Sequence, residues 1–471
     1  MELILLPNQL FKKKYIPKNI NKIYLIEELI YFGYRDEYYN FNKLKLLLHR
    51  SSMKYYYDYI SKYYKVEYIE FNDVNYKRYK NKNIIMFHYY DYELDKKLKE
   101  LNITYLDTPN QVIKDKDFEE YNKKNKKRFR HNNFYNFVKN KLKILQDTKS
   151  QDIFNRKPLP KNHKIIKNPK LTSDDIKYIE EGKKYIKKYF PNNYGDVENF
   201  IYPVTHKSSE KWLNHFLKKK FEFYGDYQDS INNEDIFIYH SIISPMLNIG
   251  LLNPLEIVKK IEKEYKNNNN IKLNDYEGFI RQIIGWRTYQ ILIYKFKYNE
   301  IVKSNIFNNN NKISKKFYNG TTNIPIVDFF IKSGFKYGYL HHIVRLMIIS
   351  NFMNLCQIRP KDIYKWFMEF SVDSYDWVMI CNVYSMGLWS DSGLALAKPY
   401  ISTSNYILKL SNFKKGEWTK IWDNLFYNFI NNNKNILKKT IYKNNINYFN
   451  KLDKDKKYEI INNSNKFIEL L

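Results

Sequence analysis

Strand-type runs are confined to roughly the first hundred residues of this chain, and that restriction narrows the available folds more than any other feature. Residues 3–6, 22–26, 66–70 and 83–87 are short runs rich in β-branched or aromatic side chains. Between the second and third, residues 42–64 carry Leu44, Leu47, Leu48 and Met53 at helical spacing. Strands separated by helices predict a doubly wound parallel sheet. No GxGxxG follows the first strand. Pro7, Asn8 and Gln9 stand there, so a dinucleotide fingerprint is absent. From Thr172 onward the strand signal nearly vanishes, and 174–189, 253–265, 276–298, 340–356 and 361–370 read as helices. The predicted architecture is an α/β domain over 1–115, a Lys- and Asn-rich linker over 116–171 with one or two helices, and a larger all-α domain over 172–471. The polar runs at 267–270, 308–311 and 431–433 read as loops.

At 471 residues the chain is long enough for a substantial core. Lys and Arg number 80 against 50 Asp and Glu, a formal charge of +30. Such an excess fits a polyanionic partner. The Lys-rich codon usage of an A+T-rich genome also raises it. Cys356 and Cys381, the two cysteines, lie in apolar stretches and read as core thiols. Two cysteines exclude a disulfide scaffold and an all-cysteine metal or cluster site. No signal peptide opens the chain and no apolar run reaches a membrane span. A soluble intracellular protein with no membrane partner is expected.

Four segments of the helical region carry candidate chemistry. In 240–250, Ser244-Pro245 is a helix-entry signal. The hydroxyls of Ser241 and Ser244 with nearby amides can hold a phosphate, or simply cap the helix. In 277–287, Trp286 stands with Arg281, Gln282 and Arg287 among isoleucines. An indole beside cations can stack a base while they bind phosphate; a core tryptophan with snorkelling arginines has the same pattern. In 340–347, His341 and His342 open an apolar helix, and Arg345 shares their face. A cation in such surroundings needs a partner, and the paired histidines suit proton handling. As a zinc site the pair is incomplete, since adjacent helical residues diverge and no third ligand is evident. Finally, Asp373 and Asp376 stand three apart among aromatics, followed by Asn382. They can answer Arg345 or act as paired acids; a glycosidase-like reading lacks a polar sugar cleft.

In this order the four segments resemble the photolyase/cryptochrome family. The Ser-x-x-Ser-Pro-x-Leu-x-x-Gly pattern at 241–250 is similar to that family's flavin-phosphate segment, and the Trp286-Arg287 helix to its flavin and lesion helix. His341-His342 followed by Arg345 resembles the His-His-x-x-Arg of (6-4) photolyases and animal cryptochromes, and Asp373 the aspartate that pairs with that arginine. The resemblance is closest to the deoxyribodipyrimidine photolyase-related branch, which includes the bacterial iron–sulfur cryptochromes and photolyases. Pro7-Asn8-Gln9-Leu10, Glu27-Glu28, Lys43-x-Lys45 leading to His49-Arg50-Ser51-Ser52-Met53, 281–287, 376–379 and 398–402 all fit it.

The resemblance implies FAD held in the helical domain by Ser241, Ser244, Gln282, Arg345, Asp373 and Asn382, with His341 and His342 as catalytic residues. It implies that Trp286 and Tyr400 contact the lesion and that Trp366 and Tyr318 relay electrons. A ribityllumazine-type antenna would sit beside helix 42–64, with Glu28, Lys45, His49 and Arg50 around it. UV-damaged DNA is the implied partner, and light-driven repair of pyrimidine dimers, of the (6-4) kind, the implied activity. Two departures stand out. Ile326, Lys414 and Glu417 occupy three of the places where relatives carry cluster cysteines, so no iron–sulfur cluster is expected. Phe367 and Tyr318 stand where a tyrosine and a second tryptophan often do, and phenylalanine cannot serve as a tyrosyl relay. The rival readings are a cryptochrome-type blue-light receptor and a cofactor-free nucleic-acid-binding relic of the fold.

Overall fold

The computed structural model describes residues 1–126 and 128–471. Five strands form one parallel sheet: β1 (Glu2–Leu5), β2 (Lys22–Ile26), β3 (Lys65–Ile69), β4 (Ile84–Phe87) and β5 (Ile103–Leu106), in the order β3-β2-β1-β4-β5. The direction of winding reverses between β1 and β4, as in doubly wound sheets. The central strands are sealed on both faces: Leu3, Ile4, Leu5, Ile23, Tyr24 and Leu25 have no exposed surface. Edge strand β5 was not foreseen. Its Thr104 and Tyr105 face solvent, so it lacks the apolar run that marks a buried strand.

Helix α1 (Lys43–Ile60) connects β2 to β3. The Asn42 side chain caps it by accepting from Leu44 N at 2.9 Å. The same amide donates to Phe335 O at 2.8 Å, tying the start of α1 to the helical domain. Helix Ser173–Tyr189 lies along α1. Their approach is close enough that a Cβ on Gly182 would fall 2.5 Å from Ser51 Oγ. Between the sheet and that helix, the connector holds helices Asp115–Lys124 and His131–Leu142.

The rest is helical, with one consequential irregularity. The helices expected over 276–298 and 340–356 are not continuous α-helix. Each contains a π-helical segment, Arg281–Trp286 and Val344–Ser350, and a third runs over Ile380–Gly387. A π turn inserts an extra residue per turn and re-aims the side chains around it, which is why it recurs at functional sites. The polar run 431–433 is not a loop, because helix Glu417–Asn432 continues through it and Asn433 Nδ2 donates back to Phe429 O at 2.9 Å. Cys356 and Cys381 are fully buried, and burial pushes both thiols up. Among the described residues no helix is long and apolar enough to cross a membrane.

Candidate functional site

The site forms around the loop before Ser244 and the π segment Val344–Ser350, joined through Asp373. That loop is strained: Ile238 and Ile242, both buried and β-branched, adopt left-handed backbone with φ of 41° and 54°. The turn they impose presents His240 and Ser241 and leads into a short helix, Ser244–Asn248, with Pro245 in its first turn. Gly250 closes the motif at φ 89°. A Cβ there would stand 3.0 Å from Leu10 N, and that amide donates to Ile249 O at 2.9 Å. The glycine is needed so that the loop after β1 can dock on the helical domain.

Asp373 is the hub. Its carboxylate accepts from Arg345 Nη2 at 2.9 Å, from Ser244 Oγ at 2.6 Å and from the Ser371 hydroxyl, and its backbone carbonyl accepts from Asn248 Nδ2 at 2.9 Å. Burial raises the carboxyl pKa, but Arg345 and the two hydroxyls outweigh it and hold the group below the ordinary aspartate value. Arg345 is therefore answered by Asp373 and not by Asp376. Asp376 instead accepts from the hydroxyls of Tyr294 and Tyr364 and lies 3.8 Å from Arg35. The two aspartates are not a catalytic pair.

Arg287 has no comparable partner. Its Nη1 donates to Asn248 Oδ1 and its guanidinium lies 4.8 Å from the Trp377 ring. Nε and Nη2 are sealed from solvent with nothing to bond. Burial lowers its pKa to about 9. An anion is what this group lacks, and a phosphate matches its fork of donors. Asn382 accepts from Gln290 Nε2 at 2.7 Å, while Gln282 is half-buried inside its π segment. Ser241 is half-buried, its carbonyl accepting from Trp212 Nε1 at 2.8 Å.

His341 is buried and stacks on His240 at 4.5 Å between ring centres. Burial, with His240, His342 and Arg345 nearby, drives its pKa well below the ordinary value, so it is a neutral imidazole. His342 is exposed, its Nε2 3.3 Å from Asp229 Oδ1. Trp286 stacks face to face with His131 of the connector at 3.8 Å. Tyr400, 37% exposed, shares this rim: beyond its burial, the charges of Asp152, Arg156 and Asp229 act on its phenol.

Trp366 is fully buried, donating to Phe317 O at 2.8 Å. Tyr318 donates to Glu369 Oε2 at 2.9 Å and stacks on Tyr194 at 5.1 Å. Phe335 lies against both Trp366 and Tyr318, at 5.8 and 6.0 Å.

The four antenna candidates divide. Lys45 and His49, one turn apart on α1, face the helical domain: Lys45 Nζ donates to Met368 O at 3.2 Å, and His49 Nε2 meets the Tyr375 hydroxyl at 2.8 Å. Burial lowers the His49 pKa to about 3. Arg50 is spent on Glu27, Glu70 and Glu181. Glu28 caps Ile30 N and accepts from Tyr76 and Lys97.

Sequence reasoning did not single out His240, Asp229 or His131. Nothing local marks them; only the fold brings them to His341, His342 and Trp286. Arg287 was legible as one of the cations beside Trp286 that could bind phosphate, but not as the one left without a partner.

Comparison with known proteins agrees with this arrangement. Residues 3–202 match the family model described as deoxyribodipyrimidine photo-lyase-related protein, and residues 279–458 the one described as FAD binding domain of DNA photolyase. A (6-4) photolyase of Agrobacterium fabrum is 35% identical over 267 residues, 56% of this chain and 51% of that protein, so the match spans about half of the relative's length. The uncharacterized protein R855 of Acanthamoeba polyphaga mimivirus is 68% identical over 88 residues, 18% of this chain and 72% of that one. A crystal structure of a bacterial class III photolyase from Agrobacterium tumefaciens superposes with a TM-score of 0.56 at 15% identity, covering 87% of this chain and 83% of the other, a likeness of fold. With two family models spanning both ends of the chain and the fold in agreement, the protein belongs to the photolyase/cryptochrome family, in its deoxyribodipyrimidine photolyase-related branch.

Proposed function

We propose that the chain is a flavin-dependent, light-driven DNA repair lyase that acts on UV-induced pyrimidine dimers of the (6-4) type. The observation that carries this is the convergence of paired histidines with a half-buried arginine, Arg287, whose sealed Nε and Nη2 lack an anion, and an arginine held by Asp373. The (6-4) photolyase among the relatives favours the same lesion. The division into an antenna-type domain over 1–115, a linker over 116–171 and an FAD-binding domain over 172–471 belongs to this reading.

Bound FAD would supply the photoexcited electron that opens the dimer and would take it back, with no net redox change. Arg287 would hold its phosphate through the free Nε and Nη2, with Ser241, Ser244, Gln282 and Asn382 as further contacts. Arg345, paired with Asp373, would be a further contact of the bound flavin. Trp286 and Tyr400 would receive a nucleotide flipped out of the duplex. Opening a (6-4) photoproduct requires moving an oxygen-bearing group between rings, and so a proton donor. His342, exposed and beside Asp229, would move that proton. His341, buried next to it, would position the reacting group. Electrons would reach the site through Trp366 and Tyr318. A ribityllumazine-type antenna would lie beside α1 near Lys45 and His49, with Glu28 and Arg50 shaping the surround from their own networks. The reading includes no iron–sulfur cluster: four thiolates are required, and the only two cysteines are core thiols.

His342→Ala and His341→Ala should keep flavin and DNA binding yet lose light-dependent repair of oligonucleotides carrying a (6-4) lesion. Wild-type protein that restores only cyclobutane dimers would end this reading.

A further inference from the structure

We propose that His240, His341 and His342 form a binding site for a divalent transition-metal ion of the zinc class. The imidazoles come from two segments far apart in sequence, the strained loop before Ser241 and the start of the helix carrying Arg345. Each offers a ring nitrogen within 4.8 Å of the other two. The third ligand that the sequence does not reveal beside the histidine pair is His240.

Three observations favour a cation there. First, polar atoms are stranded: His240 Nε2 and both ring nitrogens of His341 are buried with no partner. Native interiors rarely leave such groups unanswered, and one cation would meet a lone pair from each ring. Second, both rings are buried, and the neutral imidazole favoured by such surroundings is the form that ligates metal. Third, an outer partner exists. Asp229 lies 3.3 Å from His342 Nε2. A carboxylate in this place is what metal-bound histidines use to fix their tautomer. An all-imidazole set selects Zn2+, Co2+, Ni2+ or Cu2+ over Mg2+ and Ca2+, which take oxygen ligands. Tetrahedral bonds of about 2.0–2.1 Å place nitrogens about 3.3 Å apart, so binding would draw the rings together. His342, exposed at the rim, has the freedom to turn inward.

Metal at this position would occupy the lone pairs of the two histidines assigned above to the lesion, so ion and lesion would compete. The site itself does not rest on that assignment. Co2+ titration of the purified full-length chain, followed by visible d–d absorption and calorimetry, reads it without DNA or light. One tetrahedral Co2+ per chain is expected, displaced by Zn2+ and indifferent to excess Mg2+. Asp229→Asn should weaken binding roughly 10–100-fold, and His240→Phe, which keeps an aromatic stack on His341, at least as much. Thermal unfolding checks that the variants fold, and Zn2+ should raise the Tm of the wild type but not of His240→Phe. Equal Co2+ affinity in folded His240→Phe would overturn the proposal. So would a wild type with neither a Co2+ band nor a Zn2+-induced rise in Tm. Metal binding in a protein that repairs no (6-4) lesion would sustain the site and remove only the repair reading.

Discussion

At the scale of single residues, the order of the site depends on Asp373. It gathers Arg345, Ser244 and Ser371 on one carboxylate; Asp373, Arg345 and Ser244 stood out in the sequence, and Ser371 did not. What could not be read there is the choice of Asp373 over Asp376, three residues on. The backbone aims Asp376 at Tyr294 and Tyr364 instead. Removing one partner of a buried pair strands the other charge, so Asp373→Ala should cost about 3–5 kcal/mol and release flavin. Urea unfolding and flavin absorbance after gel filtration would measure the two effects. Unchanged stability with full flavin retention contradicts the assignment. The pH dependence has a definite sign. The folded carboxyl lies below its unfolded value of about 3.9, so its contribution is fully present above that value. It is lost as the pH falls from there through the folded pKa. Flavin retention in wild type should therefore persist through mildly acidic buffers and fail only below about pH 4.

At the scale of elements, α1 shows why a helical pattern does not reveal what its polar residues do. Leu44, Leu47, Leu48 and Met53 predicted the helix and its buried side correctly. The helix is buried on nearly every side, however, because the sheet, helix Ser173–Tyr189 and the helical domain all pack on it. Lys45 and His49 therefore lie at the junction of the two domains rather than at a solvated surface. The Lys45 ammonium has one carbonyl acceptor and the face of Phe41 at 3.6 Å. Burial, and then Arg35, drive its pKa well below the ordinary lysine value. A buried amine so poorly answered destabilises the fold, and Lys45→Met should stabilise it by about 1–3 kcal/mol, read as a higher Tm. If Lys45 serves an antenna, the same variant loses a reconstituted ribityllumazine. A lower Tm with chromophore retained would refute both halves. The π segments belong to this scale as well. Periodicity predicted helices over 276–298 and 340–356, but one extra residue in a turn changes no apolar pattern that a 3.6-residue period can detect.

At the scale of the whole molecule, the charge of +30 has two explanations with different consequences. If it serves a polyanion, affinity for undamaged duplex DNA should fall steeply with salt. Log K against log salt would have a slope of about −0.9 for each phosphate neutralised. Fluorescence anisotropy between about 50 and 200 mM salt is the measurement. A slope near zero assigns the lysines to codon bias. Acidic side chains near Tyr400 and His342, Asp152 and Asp229, do not contribute to such attraction. Damage-independent affinity must therefore come from the surrounding surface.

The sequence by itself determined the class of the fold and the family, because strand and helix periodicities and the spacing of short motifs are local properties. It also determined that Arg345 needs a partner, since an apolar helix leaves a cation unanswered. The tertiary structure decided which groups share a volume. It stacked His240 on His341, set Asp229 beside His342, left Arg287 without an anion and buried Lys45 between domains. These depend on loop geometry and on packing between segments a hundred or more residues apart, where no periodicity along the chain carries the information.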